Sequence, residues 1–445
     1  MASNGAGDLQ LVFQQSMDMP GDGAWSNFYF YLGGQYIPWS TFQNVIVLIS
    51  KPAILPLIGL NLSGQTGFGG LHVSNIVMVC CLRQIGYAKE YPLASLLSMF
   101  ARLEAGTPRD KVYALLGLSN TALARSIQPD YVIEQCTVFT DLAVLLLKSK
   151  DDAAAILSHA GIGYPGFPGG QPSWAPDWSV ESRKHCTSLA YKCPRVFQSG
   201  FEESGQTFRV DLYAAARHSE LGVYFADGQK FLCLRAIVVD TIATASTPRS
   251  IDPDRTIRKT WYDRVKRTFE YWSTTAPPSV HLDEDSFWRT LIADRSDHSF
   301  PAPPAWKHYH RIFDECLTLW PQLLSSERLI YWGERIDPEI QAGRKTLKSF
   351  NPVLSSAVSY ENRVWSSCSG RSFCTTNTGR IGLVPPKNCV GDLVCIIFGL
   401  QTPFILRSHP VQPETYLLVG ECYIHGMMSG EMMEAGFELQ WLKVA

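Results

Sequence analysis

This 445-residue chain lacks most of the features that disclose a protein's work at first reading. It has no charge field: 39 Lys and Arg stand against 41 Asp and Glu, so electrostatics favours neither nucleic acid nor an anionic membrane as partner. It has no long apolar run. The longest, Val45 to Leu62, is broken by Lys51, Pro52 and Pro56, which suits a buried helix and a turn rather than a membrane span. No cleavable leader is expected, Met1 to Asp8 being small and polar, and with it a reduced, cytoplasmic setting is expected for the twelve cysteines. Cys368 and Cys374, then Cys389 and Cys395, are spaced more widely than in zinc knuckles, and Cys374 and Cys395 sit in apolar runs; buried thiols are expected, and no metal.

Short catalytic motifs are missing too. There is no Gly-Lys-Ser/Thr phosphate loop, no His-Glu-x-x-His helix and no Gly-x-Ser-x-Gly elbow, and no cofactor is expected. The acidic groups Asp252-Pro253-Asp254 and Asp283-Glu284-Asp285 precede helical patterns, where carboxylates serve the helix dipole. His159, His185, His409 and His425 are isolated in sequence.

What is present is a globular composition, 46% hydrophobic and 12% aromatic, long enough for two or three domains. Leu93, Leu96, Leu97, Phe100 and Leu103 fall on one face of a helix. So do Val138, Phe139, Leu142, Leu145 and Leu146, with Lys148 and Lys150 at the C-terminal end. Between these patterns lies Pro108-Arg109-Asp110-Lys111-Val112-Tyr113-Ala114-Leu115-Leu116-Gly117, followed by Ile127-Gln128-Pro129-Asp130-Tyr131. Pro108 stops the preceding helix, Asp110 is expected to cap a new one, and Gly117 to end it in a left-handed cap. Arg109 and Asp110 are expected to act as a half-buried clasp, pairing with each other or with backbone groups.

Further on, Gln171-Pro172-Ser173-Trp174-Ala175-Pro176-Asp177-Trp178-Ser179 is expected to form an ordered loop pinned by two indoles. Cys233 to Asp240 reads as a strand, and the polar Thr244 to Arg255 as an exposed connector. Trp261, Val265, Phe269 and Trp272 return to helical spacing, and Ser286 offers an N-cap for the Phe287-Trp288-Arg289-Thr290-Leu291 run. Short β-prone runs follow at 373–376, 379–384, 392–398, 404–407 and 416–424. The fold class expected is α+β: a mainly helical N-terminal and central body with a small antiparallel β-rich C-terminal unit, divided as 1–125, 126–354 and 355–445.

Several of these pieces, in order, resemble the heterokaryon-incompatibility (HET) family of filamentous fungi. They are the Pro108 to Leu118 run with Arg109, Asp110, Lys111 and Tyr113, and the loop with Trp174, Asp177 and Trp178. The others are Trp288 with Arg289, Gly391-Asp392, Leu406-Arg407, and Gly426-Met427-Met428-Ser429-Gly430-Glu431. The Gly34 to Trp39 run resembles a small hairpin of that family. The family's opening Ala-Leu-Ser-Tyr-x-Trp-Gly-like and Trp-Ile-Asp-x-x-Cys-Ile-Asn-Gln-like runs are not in this sequence, so the first 125 residues are expected to be a helical remnant of the HET domain. The resemblance implies nonself recognition or cell-death signalling, with another fungal protein as partner. The alternative is a HET-derived cyclase or isomerase of secondary-metabolite biosynthesis acting on a small apolar metabolite. Its pocket would be walled by Trp174, Trp178, Trp272 and Trp288, with Asp177 and Arg289 orienting the ligand. The residues leave open whether the chain is catalytic.

Overall fold

The computed structural model describes residues 29–32, 35–38, 41, 92–101, 105–119, 121–149, 156–164, 170–179, 189, 213–249, 255–275, 282–296, 299–319 and 351–445. The apolar Val45 to Leu62 run lies outside them. The chain divides into two compact units, Met1–Lys89 with Pro194–Gln206 and Glu90–Cys193 with Thr207–Ala445. In the first, β1 (Tyr29–Leu32) and β2 (Gln35–Pro38) form an antiparallel hairpin, Leu32 opposite Gln35. Two glycines separate the strands in sequence, the pairing of residues that tight hairpin turns favour.

The second unit opens with four helices, α1 (Leu93–Met99), α2 (Asp110–Leu116), α3 (Ala122–Ser126) and α4 (Gln135–Ser149). Phe139, Leu142, Ala143, Leu146 and Leu147 make the buried stripe of α4, while Leu145, expected on it, is exposed. The stripe follows the three-and-four step through 139, 142/143 and 146/147, which turns position 145 outward. Strands β3 (Val223–Ala226) and β4 (Phe231–Ala245) come next, then α5 (Arg255–Thr275), α6 (Glu284–Leu291), α7 (Trp306–Leu319) and α8 (Asn351–Cys368). The chain ends in β5 (Ser372–Thr376), β6 (Ile381–Val384), β7 (Leu393–Ile397), β8 (Phe404–Ser408), β9 (Thr415–Glu421), β10 (Tyr423–Ile424) and β11 (Leu439–Val444).

One sheet contains β3 to β11, ordered β10-β6-β5-β4-β11-β9-β8-β7 with β3 beside β4. Because β7 returns to β4, the pairings β4, β7, β8, β9, β11 and again β4 close into a ring, which removes strand edges. The sheet is mixed, not antiparallel throughout: β11 joins β9 in parallel, Val444 opposite Tyr416. A parallel neighbour requires a crossover, supplied by the seventeen residues between Glu421 and Leu439 with their 3-10 turn Glu431–Glu434.

The sheet separates two cores. Strand side chains alternate faces, so Cys374 turns into the ring with Ile237, Val239, Val394, Ile396, Ile405, Val419 and Ile424. Its neighbour Phe373 turns the other way with Ile381, Leu383 and Tyr423, onto α5 to α8 and their Trp261, Tyr262, Phe287, Trp288, Phe313 and Trp365. At the seam, Arg371 Nη2 and Glu421 Oε1 meet at 3.3 Å, both side chains fully buried. Of the expected exposed connector after Thr244, Ala245, Thr247 and Pro248 are exposed and residues 250–254 lie outside the described ones, but Arg249 is held to this core. Arg249 is buried, Nη1 donating to the Trp365 carbonyl at 2.6 Å with the guanidinium over the Trp365 ring.

His310 on α7 is buried between α6 and α8, 3.0 Å from the Tyr360 hydroxyl through Nδ1 and edge-on to Phe287. Burial pushes its imidazole down to about 4, against weaker pulls upward from Asp314 and Glu284. The native state therefore refuses a proton that the unfolded chain takes up near pH 6.5, and stability drops as pH falls from about 6.5 to about 4, by roughly 3 kcal/mol in all. Urea melts across that window should show a shallower pH dependence for His310→Gln. Equal slopes in variant and parent would contradict the assignment.

Candidate functional site

The residues singled out in the sequence fall into four local arrangements. The first joins α2 to the 127–131 segment. Arg109 Nη1 donates to the Tyr131 carbonyl at 2.8 Å, the Tyr113 hydroxyl to the Asp130 carbonyl at 2.9 Å, and the Tyr131 hydroxyl to Asp110 Oδ1 at 2.7 Å. The rings of Tyr113 and Tyr131 meet edge to face at 5.3 Å. The Tyr131 bond, then contacts with Thr107, hold the Asp110 carboxyl below its usual range. Asp110 is not the cap: Arg109 takes that position in right-handed backbone, and Gly117 ends the helix at φ −70°, not left-handed. With Arg109 already helical, Asp110 lies inside the first turn, and its carboxylate accepts from the Tyr131 hydroxyl instead of capping. Lys111, buried, donates from Nζ to the Ala101 carbonyl at 2.7 Å, tying α2 to the end of α1.

The second is the tryptophan loop. Trp174 and Trp178 are buried, Trp174 against Phe225 of β3 and Trp178 against Phe139 of α4, both edge to face at 5.4 Å. Asp177 folds the loop locally, accepting from Ser179 N at 2.9 Å and Ser179 Oγ at 2.8 Å. Ser173 binds both the chain end, through the Ala445 carbonyl, and β9, through Leu418 N at 2.9 Å. Just before it, Ile162 N and Gly163 N bond the Leu418 and Val419 carbonyls at 2.9 Å. Gly161 has φ +127°, and a Cβ there would stand 2.3 Å from the Val419 oxygen, so only glycine fits.

The third lies at the end of α6. Trp288 is fully buried, with its indole Nε1 lacking a hydrogen-bond partner, and the Arg289 guanidinium lies over its ring at 4.4 Å. Arg289 Nη1 bonds Asp294 Oδ1 at 2.5 Å and the Ala302 carbonyl at 2.8 Å. Burial raises the Asp294 carboxyl, and Arg289 pulls it the other way. The N-cap of α6 is Asp283, accepting from Ser286 N at 2.8 Å, so Ser286 is the capped residue rather than the cap. The fourth is a fork: Arg407 Nε and Nη2 grip Asp392 Oδ1 and Oδ2 at 2.8 and 2.9 Å, while Asp392 Oδ2 also accepts from Cys389 N.

None of the four walls the open cleft of about 450 Å³ lined by Leu147, Lys148, Val223, Tyr224, Phe225, Gly228 and Gln229. The indoles of Trp174, Trp178, Trp272 and Trp288, expected to wall a pocket, do not line this cleft, and Trp174 reaches it only by backing Phe225. Among the described residues no three His, Cys, Asp or Glu side chains are grouped to hold a metal, and no helix is long and apolar enough to cross a membrane. Cys368, Cys374 and Cys395 are buried free thiols, whereas Cys389 is exposed.

Comparison with known proteins falls on the same elements. The family model described as "Het-6 beta-barrel domain" matches residues 341–439, the stretch holding α8 and β5 to β10. "Heterokaryon incompatibility protein 6, OR allele" of Neurospora crassa is 25% identical over 373 residues, 73% of this chain and 49% of that protein. The similarity therefore reaches a Het-6 barrel segment at 341–439 and, more broadly, a heterokaryon incompatibility protein. The chain spans about half the length of the curated relative it matches, and no solved structure matches it.

The matched barrel segment is completed from outside. β4, at 231–245, and nearly all of β11 lie beyond 341–439, yet both are members of the ring. Sequence reasoning missed the partners rather than the motifs. Asp294, Glu421, Arg371 and the serine at 173 carry no short pattern; they are found only when the chain is folded. Replacing Asp392 with alanine leaves a half-buried Arg407 fork and the Cys389 N–H unmatched, and should lower unfolding free energy by about 2 to 3 kcal/mol in urea melts. Arg407→Lys, which keeps charge and loses the fork, should fall between parent and Asp392→Ala; parental stability in both would remove the pair from the structural account.

Proposed function

We propose that this chain serves incompatibility-type nonself recognition or cell-death signalling inside the cells of a filamentous fungus, with another fungal protein as its partner. The observation that carries this reading is the similarity, over 73% of the chain, to a Neurospora crassa protein named for heterokaryon incompatibility. On this reading Arg109, Asp110, Lys111, Tyr113, Trp174, Asp177, Trp178, Trp288, Arg289, Asp392 and Arg407 are framework: each is engaged by a backbone group, a hydroxyl, a ring or an opposite charge, which suits holding a surface in shape better than turning over a substrate. The remnant at 1–125, the central region 126–354 and the β-rich 355–445 are proposed to act as one framework presenting that surface.

Natural alleles of the gene, brought together in fused hyphae, provide the test. Unlike alleles should produce compartments that admit a membrane-impermeant dye, and deletion of the gene should restore viable fusions. Fusions that live in every allele combination, with the protein present, would sink the proposal.

A further inference from the structure

Strand β3 is bonded to the sheet along one side only. Arg235 N donates to the Gly222 carbonyl at 2.9 Å, which fixes the phase of the antiparallel ladder between β3 and β4. By alternation Tyr224 and Ala226 direct their N–H and C=O groups to β4, while Val223 and Phe225 direct theirs outward. Among the described residues no backbone group meets them. The sequence of this edge, Val223-Tyr224-Phe225-Ala226, has high β-propensity and carries none of the charges or prolines that protect exposed edges.

The same edge lines the open cleft, together with Leu147 and Lys148 at the end of α4. Val223 and Phe225 share one face of the strand, and Phe225 is backed by Trp174, so the apolar part of the lining is rigid. Lys148 is exposed, its Nζ 5.7 Å from the centre of the Phe225 ring, and among the described residues it has no carboxylate partner. A volume of about 450 Å³ is within the range of ligand sites, and a four-residue edge offers roughly 13 Å of strand. Among the described residues, an unbonded strand edge, an apolar ring and one unmatched cation coincide here.

We propose that this cleft binds an extended segment of a partner protein, added as a strand beside Val223–Ala226 with one carboxylate side chain set against Lys148. Backbone groups of the segment would pair with Val223 and Phe225, and an apolar side chain would rest on Phe225; such strand addition draws affinity from the main chain and specificity from alternate side chains. A second copy of this chain fits less well, because its own Val223–Ala226 carries no acid and the adjoining Asp227 is already paired with Lys443. The proposal is independent of the function argued above: any partner with such a segment would satisfy it.

Random peptides of about ten residues, displayed on their mRNA, can be selected against the immobilised full chain and the enriched sequences measured by fluorescence anisotropy. Enrichment of alternating apolar residues with an acid at one position is expected. Lys148→Glu should weaken these peptides by about tenfold or more, since like charges then face each other. Val223→Pro removes only an outward N–H and should weaken them similarly while leaving the melting temperature near that of the parent. Should that variant not fold, slowed amide exchange at Val223 and Phe225 in the parent on peptide addition reports the same contact. Failure to enrich any peptide, binding indifferent to Lys148→Glu, or protection that spares β3 would overturn the proposal. A dimer abolished by Lys148→Glu would also overturn it, by giving the edge to a second copy.

Discussion

Strands β3, β5, β7 and β11 all hydrogen-bond to β4, two on each side in succession. On one side β3 covers residues 231–234 before β7 takes 236–241; on the other β11 covers 232–237 before β5 takes 242–245. A straight ribbon could not serve both a ring and the extension carrying β6 and β10. The register shifts between Val238 and Asp240 and between Ile242 and Thr244 bend β4 where its neighbours change. Remove β4 and the ring opens, while β5, β6 and β10 lose their attachment through it.

Polar groups then fix how other layers sit on this strand system. Arg371, just beyond α8, and Glu421, at the end of β9, pair without solvent, and Glu421 also accepts from Leu189 N. A buried pair of this kind is poor evidence of net stability, but it is unforgiving of misplacement, since either charge alone in that position is costly. Opposite the helices, Ser173 bridges the tryptophan loop to β9 and to the chain end, so the loop is set by the same strands that form the ring.

The strands β5 to β9 were legible because each is a short β-branched or aromatic run closed by Gly, Pro or a polar turn. Their arrangement was not. Cys233 to Asp240 reads as a strand, but nothing local shows that its partners lie some 130 to 200 residues away, nor that Thr241 to Ala245 continue it against β5. Helix existence was readable from periodicity, while capping was less so: Asp110 and Ser286 both look like caps, and in both cases a competing bond, to Tyr131 or from Asp283, decides otherwise. The motifs that resemble the HET family single out residues without naming their partners, because Arg289 with Asp294 or Arg407 with Asp392 become pairs only across a turn or between adjacent strands. Lys148 and the outward face of β3 carry no motif and came only from the structure.

The position of β4 in the chain has a consequence for how this protein is made. During synthesis β4 leaves the ribosome well before β5 and β7, and β11 follows later than either. For that interval a fifteen-residue, largely apolar strand has most of its ladder unsatisfied, and the loops that must close to cover it are long. The ring therefore cannot close until β11 has emerged, and the nascent chain is at its most vulnerable to edge-to-edge association and to chaperone capture between the birth of β4 and the arrival of β11.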